Sequence, residues 1–141
     1  MDFVSQLREA ILEAYTGIVT GFKNTDKGTG HICRCPARVV QLIVPAFFPA
    51  QLLLPWAQSI LELVQRALSD EDRSESVMKL GYGLIGDLAD AFPNGQIKQL
   101  LLSEWLAQTL RQKARASSET RKTLRWAREV CELRIVRSYI F

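Results

Sequence analysis

The stretch SESVMKLGYGLIGDLADAF, residues 74–92, decides the predicted fold because its apolar side chains recur at helical spacing. The positions that follow this spacing are Val77, Leu80, Gly81, Leu84, Ile85, Leu88, Ala91 and Phe92. Burial of a large apolar side chain stabilises a protein by about 1.5–3 kcal/mol, but a lone helix has nothing to bury it against. The stretch therefore predicts one helix within a larger packed layer.

The opposite face of this helix combines polar residues with two glycines. Its members are Glu75, Lys79, Tyr82, Gly83, Gly86 and Asp90. A glycine inside a helix costs roughly 1 kcal/mol relative to alanine, so its presence needs a reason. Gly83 and Gly86 would leave a shallow channel on an exposed surface, where the backbone of another chain could approach. A tolerated pair of small residues explains the same pattern, and both interpretations stay open.

The composition indicates one all-α globular domain. Of the 141 residues 48% are hydrophobic and 23% charged, and strand-type alternation is nearly absent. Three cysteines without a disulfide pattern indicate a reducing compartment, and no cleavable N-terminal signal is predicted. Residues 1–110 hold 9 basic and 12 acidic side chains, a net charge of −3, whereas residues 111–141 hold 9 and 3, a net charge of +6. An acidic body is therefore followed by a basic end.

The order of the predicted helices indicates a repeat. A first helix over Asp2–Phe22 precedes two helical hairpins, one from Pro55 to Phe92 and one from Gln96 to Leu133. Trp56 belongs to the predicted inward stripe of the first hairpin, and a break near Ser103 is expected in the second. A unit of about 40 residues, with residues 28–51 set aside, is typical of HEAT or armadillo α-solenoids. A compact helical bundle fits the pattern equally well.

Residues 28–51 differ in composition from the rest of the chain. They contain His31, Cys33 and Cys35, an H-x-C-x-C cluster of soft ligands. Zinc requires four ligands, generally with a second pair, so we predict no metal site and no cofactor.

The nearly apolar run from Val39 to Trp56 raises the possibility of a membrane segment. Pro45, Pro49 and Pro55 argue against it, because each proline removes a helical hydrogen bond. We therefore predict no contact with a membrane.

Four long strings resemble one family. LREAILEAYTGIVTGFKN (Leu7–Asn24) and VMKLGYGLIGDLADAF (Val77–Phe92) are similar to the C-terminal HEAT repeats of the importin-β (karyopherin-β) nuclear import receptors. LLLPWAQSILELVQRALSDED (Leu52–Asp72) and KTLRWARE (Lys122–Glu129) resemble the same region in the same order. The resemblance covers about 100 of the 141 residues. It implies an all-α HEAT-repeat solenoid of about two and a half helical-hairpin repeats.

The resemblance also implies a division of the chain. Residues 1–27 would be the second helix of a HEAT repeat, 52–92 a complete repeat, 93–134 a terminal repeat and 135–141 a tail. Residues 28–51 and 130–141 match nothing in the family. Our hypothesis is that both are translated introns or a mis-joined gene model; the alternative is a genuine family-specific loop or a disordered one.

Receptors of this family wrap the basic importin-β-binding helix of importin alpha on a concave surface formed by the second helices. The resemblance thus implies a non-enzymatic role in protein import, in cytoplasm, nucleus and nuclear pore, with Ran and nucleoporins bound by repeats outside this chain. Trp126 would pack against aliphatic or basic side chains of the partner. The expected contact residues are Glu75, Tyr82, Gly83, Gly86, Asp90, Trp126 and Glu129.

Two other functions fit parts of the pattern. Basic residues around Trp126 could form a nucleic-acid-binding or generic interaction domain, although a solvated helix face explains the same charges: Arg111, Lys113, Arg115, Arg121, Lys122, Arg125 and Arg128. An enzyme would need a nucleophile–base pair or paired carboxylates in a pocket, and a single histidine gives thin support for one.

Overall fold

The computed structural model describes residues 3–28, 52–112 and 116–137, and it forms six α-helices within these ranges. They are α1 Phe3–Gly28, α2 Ala57–Ser69, α3 Glu75–Ala91, α4 Lys98–Leu101, α5 Glu104–Arg111 and α6 Ser118–Arg137. A 3₁₀ turn, Leu54–Trp56, precedes α2. No strand occurs in these ranges, so the predicted all-α class is confirmed. The predictions made for residues 29–51 and for the tail from 138 onward lie outside the described residues.

Local chemistry explains where the central helices begin and end. The Ser74 hydroxyl caps α3 by accepting a hydrogen bond from the backbone N–H of Val77 at 3.2 Å. After α3, Gly95 adopts a φ of 76°, a left-handed conformation that favours glycine and closes the turn. The predicted interruption at Ser103 is also present, since this residue separates α4 from α5.

Two details of the predicted helices are wrong. α1 does not end at Phe22 but continues to Gly28; Lys23, just past the predicted end, is held by ion pairs with Asp87 and Asp90 of α3, and such tertiary contacts stabilise a helix beyond its local propensity. Trp56 does not belong to the inward stripe; its side chain is 64% exposed. The 3₁₀ turn at Pro55 has a different rotation per residue from α2, so Trp56 is out of phase with the buried face of that helix.

The helices form two layers with α3 at the centre. α1 and α6 both pack along α3, while α2, α4 and α5 form the other layer. Residues of α3 contact residues of α6 that lie 40 to 45 positions later, and these contacts join start to start and end to end. The two helices therefore run parallel, as second helices of successive repeats do. A spacing of 40–45 fits HEAT units and exceeds the 34 residues of a TPR unit.

The contacts between α1 and α3 repeat this arrangement with a longer spacing. Glu9 accepts a hydrogen bond from Ser74, and Lys23 donates one to Asp87; these pairs are 65 and 64 positions apart. The sequence separation of these pairs exceeds that of the pairs between α3 and α6 by about the length of residues 28–51. The described part of the chain is thus a HEAT-repeat α-solenoid, and the predicted fold class is confirmed.

Gly81 allows a neighbouring helix to pack closely against the apolar stripe of α3. A β-carbon at this position would lie 3.0 Å from Cδ2 of Leu68, a residue of α2. The residues around it are almost completely buried, including Val77, Leu84, Ile85, Leu88 and Phe92. This packing fixes the orientation of α3 and with it the side chains described below.

Candidate partner-binding face on the second helices

One side of α3 is not covered by another helix. Lys79 is exposed there, and Gly83, Asp87 and Asp90 are half-exposed. On the neighbouring helix α6, Trp126 and Glu129 lie one turn apart, on a side of the helix away from its buried stripe Leu124, Ala127 and Cys131. We call the surface formed by Lys79, Gly83, Asp87, Asp90, Trp126 and Glu129 the open face.

Trp126 lies directly over Gly86 of α3. A β-carbon at Gly86 would be 2.8 Å from Cε3 and Cη2 of the indole and closer still to Cζ3. Gly86 is consequently buried, and its predicted position in an open channel is wrong: the last helix of the same chain already fills that space. The indole itself remains 38% exposed, so part of the ring is accessible to a partner.

Gly83, one turn before Gly86, retains open space. A β-carbon added at Gly83 would meet a single heavy atom within 4 Å, Cγ2 of Thr123 at 3.9 Å. Gly83 and the exposed part of Trp126 are therefore adjacent on the open face. A partner backbone could approach α3 at Gly83. The accessible groove is shorter than the predicted channel, because Trp126 covers Gly86.

Tyr82 is not part of the open face, which corrects the prediction for this residue. Only 3% of it is exposed, and it lines a cavity of about 360 Å³ together with Trp105 and Gln108. A single helical step from Gly83 to Tyr82 turns the side chain by about 100°, which directs it toward the first-helix layer. Burial raises the pKa of the Tyr82 hydroxyl, against a smaller opposing effect of Arg73.

Four charged side chains join α1, α3 and α6 at their C-terminal ends. Lys23 Nζ lies 3.0 Å from Asp87 Oδ1 and 2.8 Å from Asp90 Oδ2, while Arg134 Nη2 lies 2.6 Å from Asp90 Oδ1. We call this group the ion clasp. Each oxygen of Asp90 thus receives a cation from a different neighbouring helix. The sequence pattern did not indicate Lys23, Asp87 or Arg134, because each partner is at least 44 positions away.

The ion clasp shifts the ionisation of its members. Burial alone would raise the pKa of Asp90, but hydrogen bonds and charge from Lys23 and Arg134 outweigh it and hold that pKa below its ordinary value. For Lys23, burial acts to lower the pKa, while hydrogen bonds to Asp90 and Asp87 reverse the effect and raise it. Both shifts favour the charged forms, of Asp90 and of Lys23.

Glu75, also predicted to contact a partner, binds the chain's own last helix. Its Oε1 accepts hydrogen bonds from the backbone N–H of Ser117 at 3.0 Å and from the hydroxyl of Thr120 at 3.0 Å. These bonds from Ser117 and Thr120 lower the pKa of the Glu75 carboxyl. Glu75 therefore fixes the start of α6 on α3, and Lys79 adds a 2.7 Å ion pair with Glu119 beside it.

The remaining chemistry of the described residues is limited. Within the parts of the chain that the structure describes, no group of three or more His, Cys, Asp or Glu residues is arranged to hold a metal ion. None of the described helices is both long and apolar enough to cross a lipid bilayer. Cys131 is buried, and desolvation raises the pKa of its thiol to about 12, which keeps it protonated.

Comparison with known proteins identifies related sequences. A family described as Importin subunit beta-1-like, TPR repeats matches residues 43–114. Importin subunit beta-1 of Schizosaccharomyces pombe is 30% identical over 131 residues, which cover 92% of this chain and 13% of that protein. The corresponding protein of Arabidopsis thaliana is 34% identical over 106 residues, covering 73% of this chain and 10% of the relative. The chain thus spans little more than a tenth of the length of these relatives.

Solved structures show the same relationship. A crystal structure of importin beta in an ammonium sulfate condition matches with a TM-score of 0.73 and 31% identity, over 95% of this chain and 13% of that one. A second, in a polyethylene glycol condition, matches with a TM-score of 0.75 and the same identity, over 95% and 14%.

Proposed function

The chain belongs to the importin subunit beta-1-like family, and from this membership we propose that it is part of a nuclear transport receptor whose open face binds a basic helix. The proposed partner is the importin-β-binding helix of importin alpha or a cargo helix of similar charge. The protein would act without chemistry of its own and would move between cytoplasm and nucleus.

The position of Trp126 supports this proposal most directly. Its indole packs against Gly86, the residue is 38% exposed, and the open space of Gly83 lies beside it. An aromatic ring held in this way offers a Lys or Arg side chain a cation–π contact of about 0.5–2 kcal/mol. The exposed carboxylate of Glu129 lies one helical turn further along α6 and can pair with a second cation.

The exposed acid of the open face is consistent with a basic partner. Of its three carboxylates, those of Asp87 and Asp90 are paired with Lys23 and Arg134, whereas Glu129 is exposed and can bind a cation of the partner. The basic residues that motivated the nucleic-acid alternative include Arg121 and Arg125, which precede Glu129 by eight and four positions and therefore lie on the same side of α6. A basic helix and a nucleic acid would therefore compete for the same side of this helix, and a direct comparison of the two ligands is needed to separate the two functions.

A titration with two ligands tests the proposal. Residues 1–141 are added to a fluorescently labelled importin-α N-terminal helix and, separately, to a labelled DNA duplex of random sequence, and anisotropy is measured at two salt concentrations. We expect saturable binding of the helix and about tenfold weaker binding after Trp126→Ala. Trp56→Ala is the matched control, because this tryptophan is 64% exposed but lies in the turn before α2.

Two results would contradict the proposal. One is equal weakening by Trp126→Ala and Trp56→Ala, which would mean that the open face has no special role. The other is tighter binding of the duplex than of the helix, which would support the nucleic-acid function instead. Glu129→Gln should weaken helix binding more than Glu62→Gln, because Glu62 is also exposed but lies on α2, in the other layer.

A further inference from the structure

The ion clasp contains the same kinds of charged group that a basic partner would bring to the open face. Lys23 and Arg134 present to the Asp87–Asp90 pair the same ammonium and guanidinium groups that a basic helix would present. We propose that these two side chains act as an internal competitor, occupying the carboxylates of the open face and lowering its affinity for basic partners. This inference rests on the proposed function and adds a control of the same site.

The geometry allows an external cation to reach the carboxylate of Asp90, although not that of Asp87, whose side chain is only 19% exposed. The side chain of Asp90 is 35% exposed, whereas those of Lys23 and Arg134 are 20% and 16% exposed. The acid is thus more accessible than the bases that hold it, because the two cations approach along the layer from α1 and α6. The side of Asp90 facing away from the layer remains available to a partner.

The hold of Arg134 on Asp90 is incomplete. Its Nη2 donates to Asp90 Oδ1, but Nε is buried without a hydrogen-bond partner among the described residues. A guanidinium gains most from a carboxylate when two parallel N–H groups bind both oxygens. Here Lys23 binds the second oxygen of Asp90, so Arg134 cannot form two parallel hydrogen bonds with this carboxylate. An incoming arginine would therefore displace a weaker contact than a two-bond pair.

Charge balance sets the direction of the effect. Two carboxylates and two cations leave the clasp with no net charge, so it exerts little attraction on a distant basic helix. Removing the charge of Lys23 or Arg134 would leave one uncompensated carboxylate at the open face. Association with a basic partner should then become faster and more dependent on salt.

The test measures helix affinity with the clasp cations removed one at a time. Lys23→Met and Arg134→Met keep a long apolar stem without the charge. We expect each to bind the labelled importin-α helix about three- to tenfold more tightly than the unchanged chain, with a steeper loss of affinity as salt increases. Arg8→Met is the matched control: it removes one positive charge from the ion pair with Asp70, at the opposite end of α1.

The outcomes separate this inference from the proposed function. If the unchanged chain binds no basic helix, or binds it without Trp126, the proposed function fails. If the unchanged chain binds through Trp126 while Lys23→Met and Arg134→Met bind equally or more weakly than Arg8→Met, the competitor role is wrong. An equal gain in all three variants would indicate net charge alone and would also overturn it.

A measurement on the unchanged chain covers the case in which the variants fail to fold. Lys23 is labelled with an amine-reactive acetylating reagent, with and without saturating importin-α helix, and its modification is quantified by mass spectrometry. Displacement from Asp87 and Asp90 predicts faster modification of Lys23 in the complex. An unchanged or slower rate, relative to the exposed Lys122, would contradict the inference.

Discussion

Trp126 and Gly86 form a matched pair across the interface of α3 and α6: the indole occupies the volume that any side chain at position 86 would need. The pair lies between two polar contacts, Glu75 with Ser117 and Asp90 with Arg134. This arrangement gives the two glycines of the polar side of α3 opposite roles. Gly86 is required by the fold, whereas Gly83 is free to serve a partner.

Substitution of each glycine by alanine should therefore change stability in opposite directions. Gly86→Ala should lower the free energy of unfolding by about 1–3 kcal/mol, because the indole must move to make room for the methyl group. Gly83→Ala should raise it by about 0.5–1 kcal/mol, since alanine has the higher helix propensity and meets only Thr123 at 3.9 Å. Urea denaturation followed by circular dichroism measures both, and destabilisation of similar size at the two positions would contradict this assignment.

The contact between Gly86 and Trp126 should also appear as energetic coupling. In a double-mutant cycle, the cost of Gly86→Ala should largely disappear when Trp126 is already alanine, because the atoms that clash are absent. A coupling of about 1 kcal/mol or more is expected from residues in direct contact. Gly83→Ala with Trp126→Ala serves as the control pair and should be nearly additive.

The ion clasp predicts a pH-dependent contribution to stability. The folded-state pKa of Asp90 is lowered, so its stabilising contribution is present above its unfolded value near 3.8 and is lost as pH falls through the folded value. Asp90→Asn should lower stability at pH 7 by about 1 kcal/mol, a modest value because the carboxylate is partly exposed. The difference from the unchanged chain should vanish at low pH.

The same clasp predicts a second change at alkaline pH. Because the folded-state pKa of Lys23 is raised, its contribution is present below 10.5 and is lost as pH rises through the higher folded value. Glu71→Gln is the control, because Glu71 is an exposed acid away from the clasp. The melting temperatures of this variant and of the unchanged chain should depend on pH in the same way over both the acidic and the alkaline range. A pH profile of Asp90→Asn parallel to theirs would exclude the assigned role.

The cap of α3 predicts a local loss of stability. Ser74→Ala removes the hydroxyl that accepts from Val77 and donates to Glu9, so the free energy of unfolding should fall by about 0.5–2 kcal/mol. Ser76→Ala, two positions later and exposed, should have a much smaller effect. Thermal denaturation compares the two variants, and similar melting temperatures would contradict the capping role.

Cys131 predicts a chemical probe of unfolding. Its thiol is buried and protonated, so in a Cys33→Ser, Cys35→Ser background it should react with a thiol reagent only when α6 separates from α3. The labelling rate should rise with urea in step with loss of helicity. Rapid labelling in buffer, at the rate of free cysteine, would show that the thiol is accessible in the folded chain.

Sequence patterns predicted the helices well because their information is local. The apolar stripe of α3 and the break at Ser103 each depend on residues within a few positions. Tyr82 was placed wrongly because three neighbouring helices cover more of α3 than its apolar stripe alone suggests. The width of a buried face depends on how many neighbours a helix has, and periodicity within that helix does not contain this number.

The site was predictable only in part, for the same reason. Trp126 and Glu129 are exposed as a contact role requires, whereas Glu75 and Asp90 are bound by residues of α1 and α6. An unpaired carboxylate and one held by a distant cation look alike in a sequence. The pairing of Asp90 with Lys23 and Arg134 depends on the spacing of whole repeats, which sets which helix ends meet.

The central place of α3 has a consequence for how the chain loses its structure. α1 and α6 each pack against α3, so we expect that either of them can detach while the other stays packed. Unfolding of α3 would remove the packing surface of both. Backbone amides in the middle of α3, around Leu84 and Ile85, should accordingly exchange their hydrogens for deuterium most slowly. Unfolding would then begin at α1 and α6 in separate steps. The unfolding of α3 would come last and would remove the remaining structure of the chain.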